Sequence, residues 1–306
     1  MNPSSVTRFS QLARFSLAYN VAVILWGAYV RASGSGAGCG QHWPLCNGQV
    51  VPLAAETKTL IEFTHRITSG GCLILAVILY WWSRKISEKT GPVRKAALWV
   101  LIFTLLEAAI GAGLVLFKLV AENSSVIRAV AISLHLVNTL LLLAALTLLS
   151  SWSIRIPKFS SHYTARAKQL AVGLCALTVV AASGAVTALG DTLFPADSLA
   201  EGIAQDFSEF AHFLIRLRIW HPIIAIISGC YLLALTWFSF RDSTNRISIE
   251  RKYSLLVATL VIIQFIVGFT NILLLAPTGI QILHLALADA LWIGAVLWFN
   301  SEREAR

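Results

Sequence analysis

Four histidines stand where histidine is costly. His65, His135, His221 and His284 each interrupt an apolar run long enough to cross a bilayer, and an ionisable group at that depth costs a few kcal/mol unless it has a use. Each lies one or two turns past the end at which its run begins, roughly 7–12 Å deep at about 1.5 Å per residue. Three chemistries suit imidazoles so placed. Two on neighbouring helices can ligate a haem iron from its two faces. The same pair can hold zinc or copper, but those metals usually take a third or fourth ligand, and no Cys, His or Asp pattern here supplies one. Or the rings can relay protons in a transporter. One such histidine is often structural; four at similar depth favour ligation, and haem uses the pairs as they stand. The other histidines, His42, His162 and His212, fall in loops or at a boundary.

The surroundings of the four rings differ. Glu62 stands three residues before His65, on the same helical face, and Arg66 follows it. At His221 the matching places hold Arg218 and Pro222. Only one histidine pair therefore has a carboxylate at hand, a group able to accept a proton or stabilise charge; its plainer reading is an ion pair with Arg66. Arg66, Arg128, Arg216 and Arg218 gather near the same ends of the apolar runs, where haem propionates would need counter-charges.

These residues need long helices to position them. The chain of 306 residues is 57% hydrophobic and 13% charged, about half the charged share of a soluble domain. Eight apolar runs predict eight spans, near Phe15–Ala32, Leu60–Trp82, Ala96–Leu119, Ala129–Ser150, Leu170–Leu189, Phe210–Phe240, Leu255–Ala276 and Gln281–Asn300. The sixth is over-long, so part of it should lie outside the membrane. The first is span-length and lacks a cleavage-site pattern, so it reads as a span rather than a signal sequence. With the N-terminus assigned to the cytoplasm, the inner segments hold seventeen Lys and Arg and the outer ones three. That bias puts both termini inside, in a plasma membrane of bacterial type. It also explains the net charge of +9 as orientation in the lipid bilayer, with no nucleic-acid partner.

The runs repeat. "WGAYV" (Trp26–Val30) aligns with "SGAVT" (Ser183–Thr187), and "LLEAAIG" (Leu105–Gly111) with "IIQFIVG" (Ile262–Gly268), both 157 residues apart, with Glu107 falling on Gln264. His65 then matches His221, and His135 matches His284. Four spans per repeat is an even number, so both copies enter from one side. The expected fold is an all-α integral membrane protein of two parallel-repeat four-helix bundles, residues 1–155 and 156–306.

Cys39 and Cys46, in "GCGQHWPLC" (Gly38–Cys46), lie in an outer loop where a disulfide can persist. Cys72, Cys175 and Cys230 fall within spans and read as small buried apolar residues. "SGSGAG" (Ser33–Gly38) lacks the strand and Lys of a phosphate loop and reads as a turn. Trp81, Trp82 and Trp99 suit an interfacial belt. Asp289, inside the last span, has no cation partner evident from its sequence position.

Taken together, "YVRASGSGAGCGQHWPLCNG" (Tyr29–Gly48), "EFTHR" (Glu62–Arg66), "LHL" around His135, "WHP" around His221 and "LHLA" around His284 resemble the heme A synthase family over nearly the whole chain. The resemblance implies a membrane oxidoreductase that turns one methyl group of heme O into the formyl group of heme A through hydroxylated intermediates, with a heme b cofactor. His65 and His135 would flank the substrate haem, with Glu62 at the reacting methyl as the catalytic residue. His221 and His284 would ligate heme b, and Cys39 and Cys46 would pair. An enzyme that supplies heme O is a sensible partner; the electron acceptor is unidentified. Three places depart from the family's pattern: Pro222 where Arg is common, Glu107 where Gln is common, and no Cys in 191–210. Proline there should kink its helix. Glu107 would bond a neighbouring helix or belong to a proton path. The rival readings are a bis-His diheme cytochrome b linked to quinol, which has no need of Glu62, and a transporter without haem.

Overall fold

The computed structural model describes residues 3–52, 56–157, 163–242 and 249–303. His162, and Lys158, Arg246 and Arg306 among the seventeen inner Lys and Arg, lie outside them. Helices fill the described chain: α1 (Pro3–Ala32), α2 (Thr57–Ile86), α3 (Pro92–Leu116), α4 (Val126–Trp152), α5 (Ala165–Leu193), α6 (Leu199–Asp206), α7 (Phe213–Arg218), α8 (Trp220–Asp242), α9 (Ile249–Leu273) and α10 (Thr278–Arg303). Eight stretches among them are long and apolar enough to cross a membrane, α7 and α8 counting together.

Local chemistry sets the starts. Pro92 occupies the first turn of α3, where a missing N–H costs nothing. Ser125 and Thr164 cap α4 and α5 by accepting from Arg128 N (3.2 Å) and Ala167 N (3.0 Å). α1 begins at Pro3, well before the apolar run near Phe15, because the hydrocarbon boundary limits hydropathy and not helicity. The over-long sixth run divides: α7 ends at Arg218 and α8 opens at Trp220. Pro222 gives the reason, since it can donate no hydrogen bond to Arg218 O and its ring crowds that carbonyl.

Packing follows the chain order. α1 touches α2 and α4, and α3 lies against α2 and α4; α5 touches α8 and α10, and α9 lies against both α8 and α10. One apolar core joins Phe9, Leu79, Val100 and Leu146 from α1–α4. A second joins Leu170, Leu232, Val257 and Trp298 from α5, α8, α9 and α10. Leu140 and Leu143 meet Trp292 and Val296 in a seam between α4 and α10. Across that seam Trp292 Nε1 donates to Leu140 O at 2.7 Å. α3 and α9 have equal length, 25 residues. Each is followed two positions on by a left-handed residue, Lys118 (φ 57°) and Leu275 (φ 60°).

Candidate functional site

The two main cores lie toward the ends of the helices away from the long 33–56 loop, and the four histidines lie toward that loop. All four are only half-buried. Each ring rests on a glycine of an adjacent helix. A Cβ added at Gly27 of α1 would sit 2.8 Å from His65 Cε1, and one at Gly184 of α5 would sit 2.9 Å from His221 Cε1. At Gly268 of α9 the distance to His284 Cε1 is 3.1 Å, and at Gly111 of α3 the distance to His135 Cε1 is 3.9 Å. These are the glycines that the internal repeat aligns, and any side chain at the first three would have to push a ring aside. The repeat thus preserves a ring and the bare backbone it lies on.

In the second set of helices the rings of His221 and His284 are 6.4 Å apart between centroids and nearly perpendicular, at 87°. Two imidazoles on opposite faces of one iron, each at a metal–nitrogen distance of about 2 Å, would have centroids about 6 Å apart. This donor pair fits a haem. His221 Nδ1 lies 3.0 Å from Ser183 Oγ, leaving Nε2 as the ligating nitrogen. The Nδ1 atoms of His65 and His284 are buried without a hydrogen-bonded partner among the described residues. Among the described residues no three His, Cys, Asp or Glu side chains gather as a metal-binding group; the histidines come in pairs.

Glu62 is 3% exposed, and the 38–45 stretch of the first loop lies over it and its partner Arg66. Gly38 is the hinge of that contact: a Cβ there would sit 2.5 Å from Lys58 O, so only a glycine lets the loop backbone lie on the first turn of α2. Thr59 Oγ1 donates to Gly38 O at 2.8 Å, and the next residue, Cys39, donates its N–H to Glu62 Oε2 at 2.8 Å. Cys39 is joined to Cys46 by a disulfide, the pairing expected from the resemblance. Arg66 closes the other side, donating from Nη2 to Glu62 Oε1 at 2.5 Å and from Nη1 to His42 O (2.5 Å) and Leu45 O (2.7 Å). The carboxylate is therefore an ion pair clamped by a disulfide-bearing loop.

The expected propionate partners are mostly engaged within the protein. Arg66 serves Glu62 and the loop. Arg128 donates to Ala121 O (2.5 Å) and Asn123 O (2.6 Å), holding the turn before α4. Arg218 pairs with Asp206 (2.6 Å) and Asp191 (3.2 Å), two of the five acids in 191–209. The side chain of Arg216 is exposed. Two features escaped the sequence reading. Arg31 leaves α1 to donate to Ala188 O (2.6 Å), Thr192 Oγ1 (2.6 Å) and Gln281 Oε1 (2.9 Å), on α5 and α10. Its place inside "YVRASG" was the available signal, but a lone Arg at a span end looks like a boundary residue. Glu107, left between two helix-level roles, lies against His135, with Oε2 2.5 Å from Nδ1. Thr139 Oγ1 donates to its other oxygen. Asp289 is buried, and neither of its oxygens has a hydrogen-bonded partner among the described residues.

With paired histidines, a clamped glutamate and a disulfide loop on eight apolar helices, comparison with known proteins is informative. Residues 10–296 match the COX15-CtaA family, described as cytochrome oxidase assembly protein. The chain belongs to that family. It is 28% identical over 288 residues to a heme A synthase of Listeria monocytogenes, covering 89% of this chain and 86% of that one. A heme A synthase of Listeria welshimeri is 27% identical over 290 residues, with the same coverages, 89% and 86%. A Thermus thermophilus protein named protoheme IX farnesyltransferase is 43% identical over 300 residues, 97% of this chain but 49% of that protein. The chain thus spans about half the length of the Thermus relatives it matches. Eight apolar spans and bacterial relatives make this COX15-CtaA member a multi-pass protein of the bacterial inner membrane.

Proposed function

We propose that this chain is a heme A synthase, an oxidoreductase that converts a methyl group of heme O to the formyl group of heme A by successive hydroxylations. In this reading α1–α4 and α5–α10 are two parallel-repeat bundles, residues 1–155 and 156–306, with both termini cytoplasmic and the disulfide loop outside. His65 and His135 flank the substrate haem. His221 and His284 would hold heme b, which when bound would supply electron transfer.

The observation that carries the reading is an asymmetry. Both halves present a histidine pair on glycine-bared helices, but Glu62 and Glu107 lie in the first half alone, and the matched positions hold Arg218 and Gln264. Oxidation of a methyl group releases protons, and a carboxylate held beside the ring can stabilise charge or accept one. Glu62 is clamped by Arg66 and the Cys39 amide, so it is fixed in position before substrate arrives. The loop that carries the clamp also shields the carboxylate from water. The Thermus relatives support an upstream partner: about half of each lies outside the match, and both are named for protoheme IX farnesylation. A farnesylated haem is the substrate class expected here, so we place a heme O-supplying enzyme beside this one. The electron acceptor stays unassigned.

The test is the haem content of protein purified in mild detergent from a host that makes heme O. Heme b together with heme O, its hydroxylated forms or heme A is the expected result. Glu62→Ala should retain both haems and lose heme A formation. Two heme b per chain and no heme A would show the diheme cytochrome b instead, and absence of haem would leave the transporter.

A further inference from the structure

Glu107 of α3 and His135 of α4 make a contact that the second half does not repeat. Glu107 Oε2 stands 2.5 Å from His135 Nδ1. Its Oε1 accepts from Thr139, one turn along α4 from the histidine. Both oxygens of this α3 carboxylate are thereby held by side chains of α4. Its approach to the ring is short, so the negative charge of the carboxylate acts directly on the imidazole. At the repeat-matched position Gln264 is neutral, and both its Oε1 and the Nδ1 of His284 are buried without a partner among the described residues. The partnered ring of the second half is His221, through the neutral hydroxyl of Ser183 at 3.0 Å. Each half thus gives one histidine a partner at Nδ1, anionic in the first and neutral in the second.

We infer that Glu107 is a positioning residue for the first-half iron, holding the His135 ring from its Nδ1 side and making it the most strongly donating of the four imidazoles. This rests on the reading of His135 as an iron ligand. A carboxylate behind a ligating imidazole fixes the ring and raises its basicity. A more basic ligand favours the ferric state, so the haem in this half should have a lower potential than the same ring would give without Glu107. Neither Glu62, which is committed to Arg66 and Cys39, nor Ser183, which carries no charge, can do the same.

The experiment compares wild type, Glu107→Gln, Glu107→Ala and His135→Ala, each purified with its haem, by redox titration and by low-temperature EPR of the ferric protein. Two haem transitions are expected in the wild type. One should move to higher potential, with altered g-values, in both Glu107 variants, while the other stays in place. Glu107→Ala should hold the shifted haem about 10–100-fold less tightly, whereas Glu107→Gln, which keeps an oxygen beside Nδ1, should retain it. His135→Ala should remove the same transition. If His135→Ala removes one transition but both Glu107 variants match the wild type, the inference falls alone. If His135→Ala leaves every transition in place, the ligand assignment falls and takes the inference with it. Equal disturbance of both haems by the Glu107 variants would show a general loosening of the helices and would also overturn it.

Discussion

A histidine ring and the glycine beneath it form a single unit in this protein. Exposure of the glycine backbone lets the ring approach the facing helix closely, and the clearance differs between sites. A Cβ at Gly184 would stand 2.9 Å from His221, too close for any real contact, while one at Gly111 would stand 3.9 Å from His135, an ordinary contact. Gly184→Ala should therefore displace His221 and reduce the haem bound per chain several-fold, whereas Gly111→Ala should leave haem content near the wild-type level. Haem quantification against protein mass checks both. Equal losses at the two glycines would mean that the rings are not what the glycines accommodate.

Among the elements, the break between α7 and α8 and the acidic 191–209 segment belong together. Arg218, the last residue of α7, ties Asp191 at the end of α5 and Asp206 at the end of α6. All three side chains are largely buried, so removing the guanidinium leaves two carboxylates facing each other with little water. Arg218→Ala should destabilise by about 3 kcal/mol, seen as a lower thermal unfolding temperature in detergent, and Asp191→Asn in the same protein should recover part of it. An unchanged unfolding temperature would show the pairing to be solvent-screened. The sequence had suggested Arg218 as a propionate partner because it lies with other arginines near the outer ends of the apolar runs; the acids that claim it are 12 and 27 residues away in the chain. Pro222, by contrast, announced its effect. Its missing N–H acts on the carbonyl four residues back, a purely local relation, and the helix divides there.

For the whole molecule, the two sets of helices meet where α1 and α4 pack against α5 and α10, and Arg31 is one of the polar fastenings across that contact, with Trp292 another. Three bonds from one guanidinium reach Ala188, Thr192 and Gln281, joining α1 to α5 and α10 at the histidine-bearing end. Arg31→Ala should cost on the order of 3 kcal/mol, given about 1.5–3 kcal/mol for a hydrogen bond to a charged group less the water regained. Its signature should be increased protease cleavage or hydrogen exchange at the facing ends of α1, α5 and α10, with the cores around Leu146 and Trp298 unaffected. Exchange confined to α1 would mean that the arginine does not join the two sets.

The sequence alone determined the eight spans, the depth of the four histidines and the internal repeat. Each follows from a property read along the chain: hydropathy over about 20 residues, distance from a span end, and recurrence of a pattern. It also carried the local geometry of Glu62 and Arg66, since residues four apart share a helix face. Tertiary structure alone decided what each charged group meets. Arg31 and Gln281 are 250 residues apart, and Glu107 and Thr139 are 32 apart. Their contacts depend on how the helices pack and rotate against one another, which hydropathy does not fix. In a bilayer, apolar surface looks much the same toward lipid as toward a neighbouring helix, so the burial pattern that orients soluble helices is largely lost. What remains to set the rotation is close packing at small residues and the need of each buried charge for a partner. Gly27, Gly184 and Gly268, and the carboxylates and guanidiniums around the histidines, are where this protein meets both conditions.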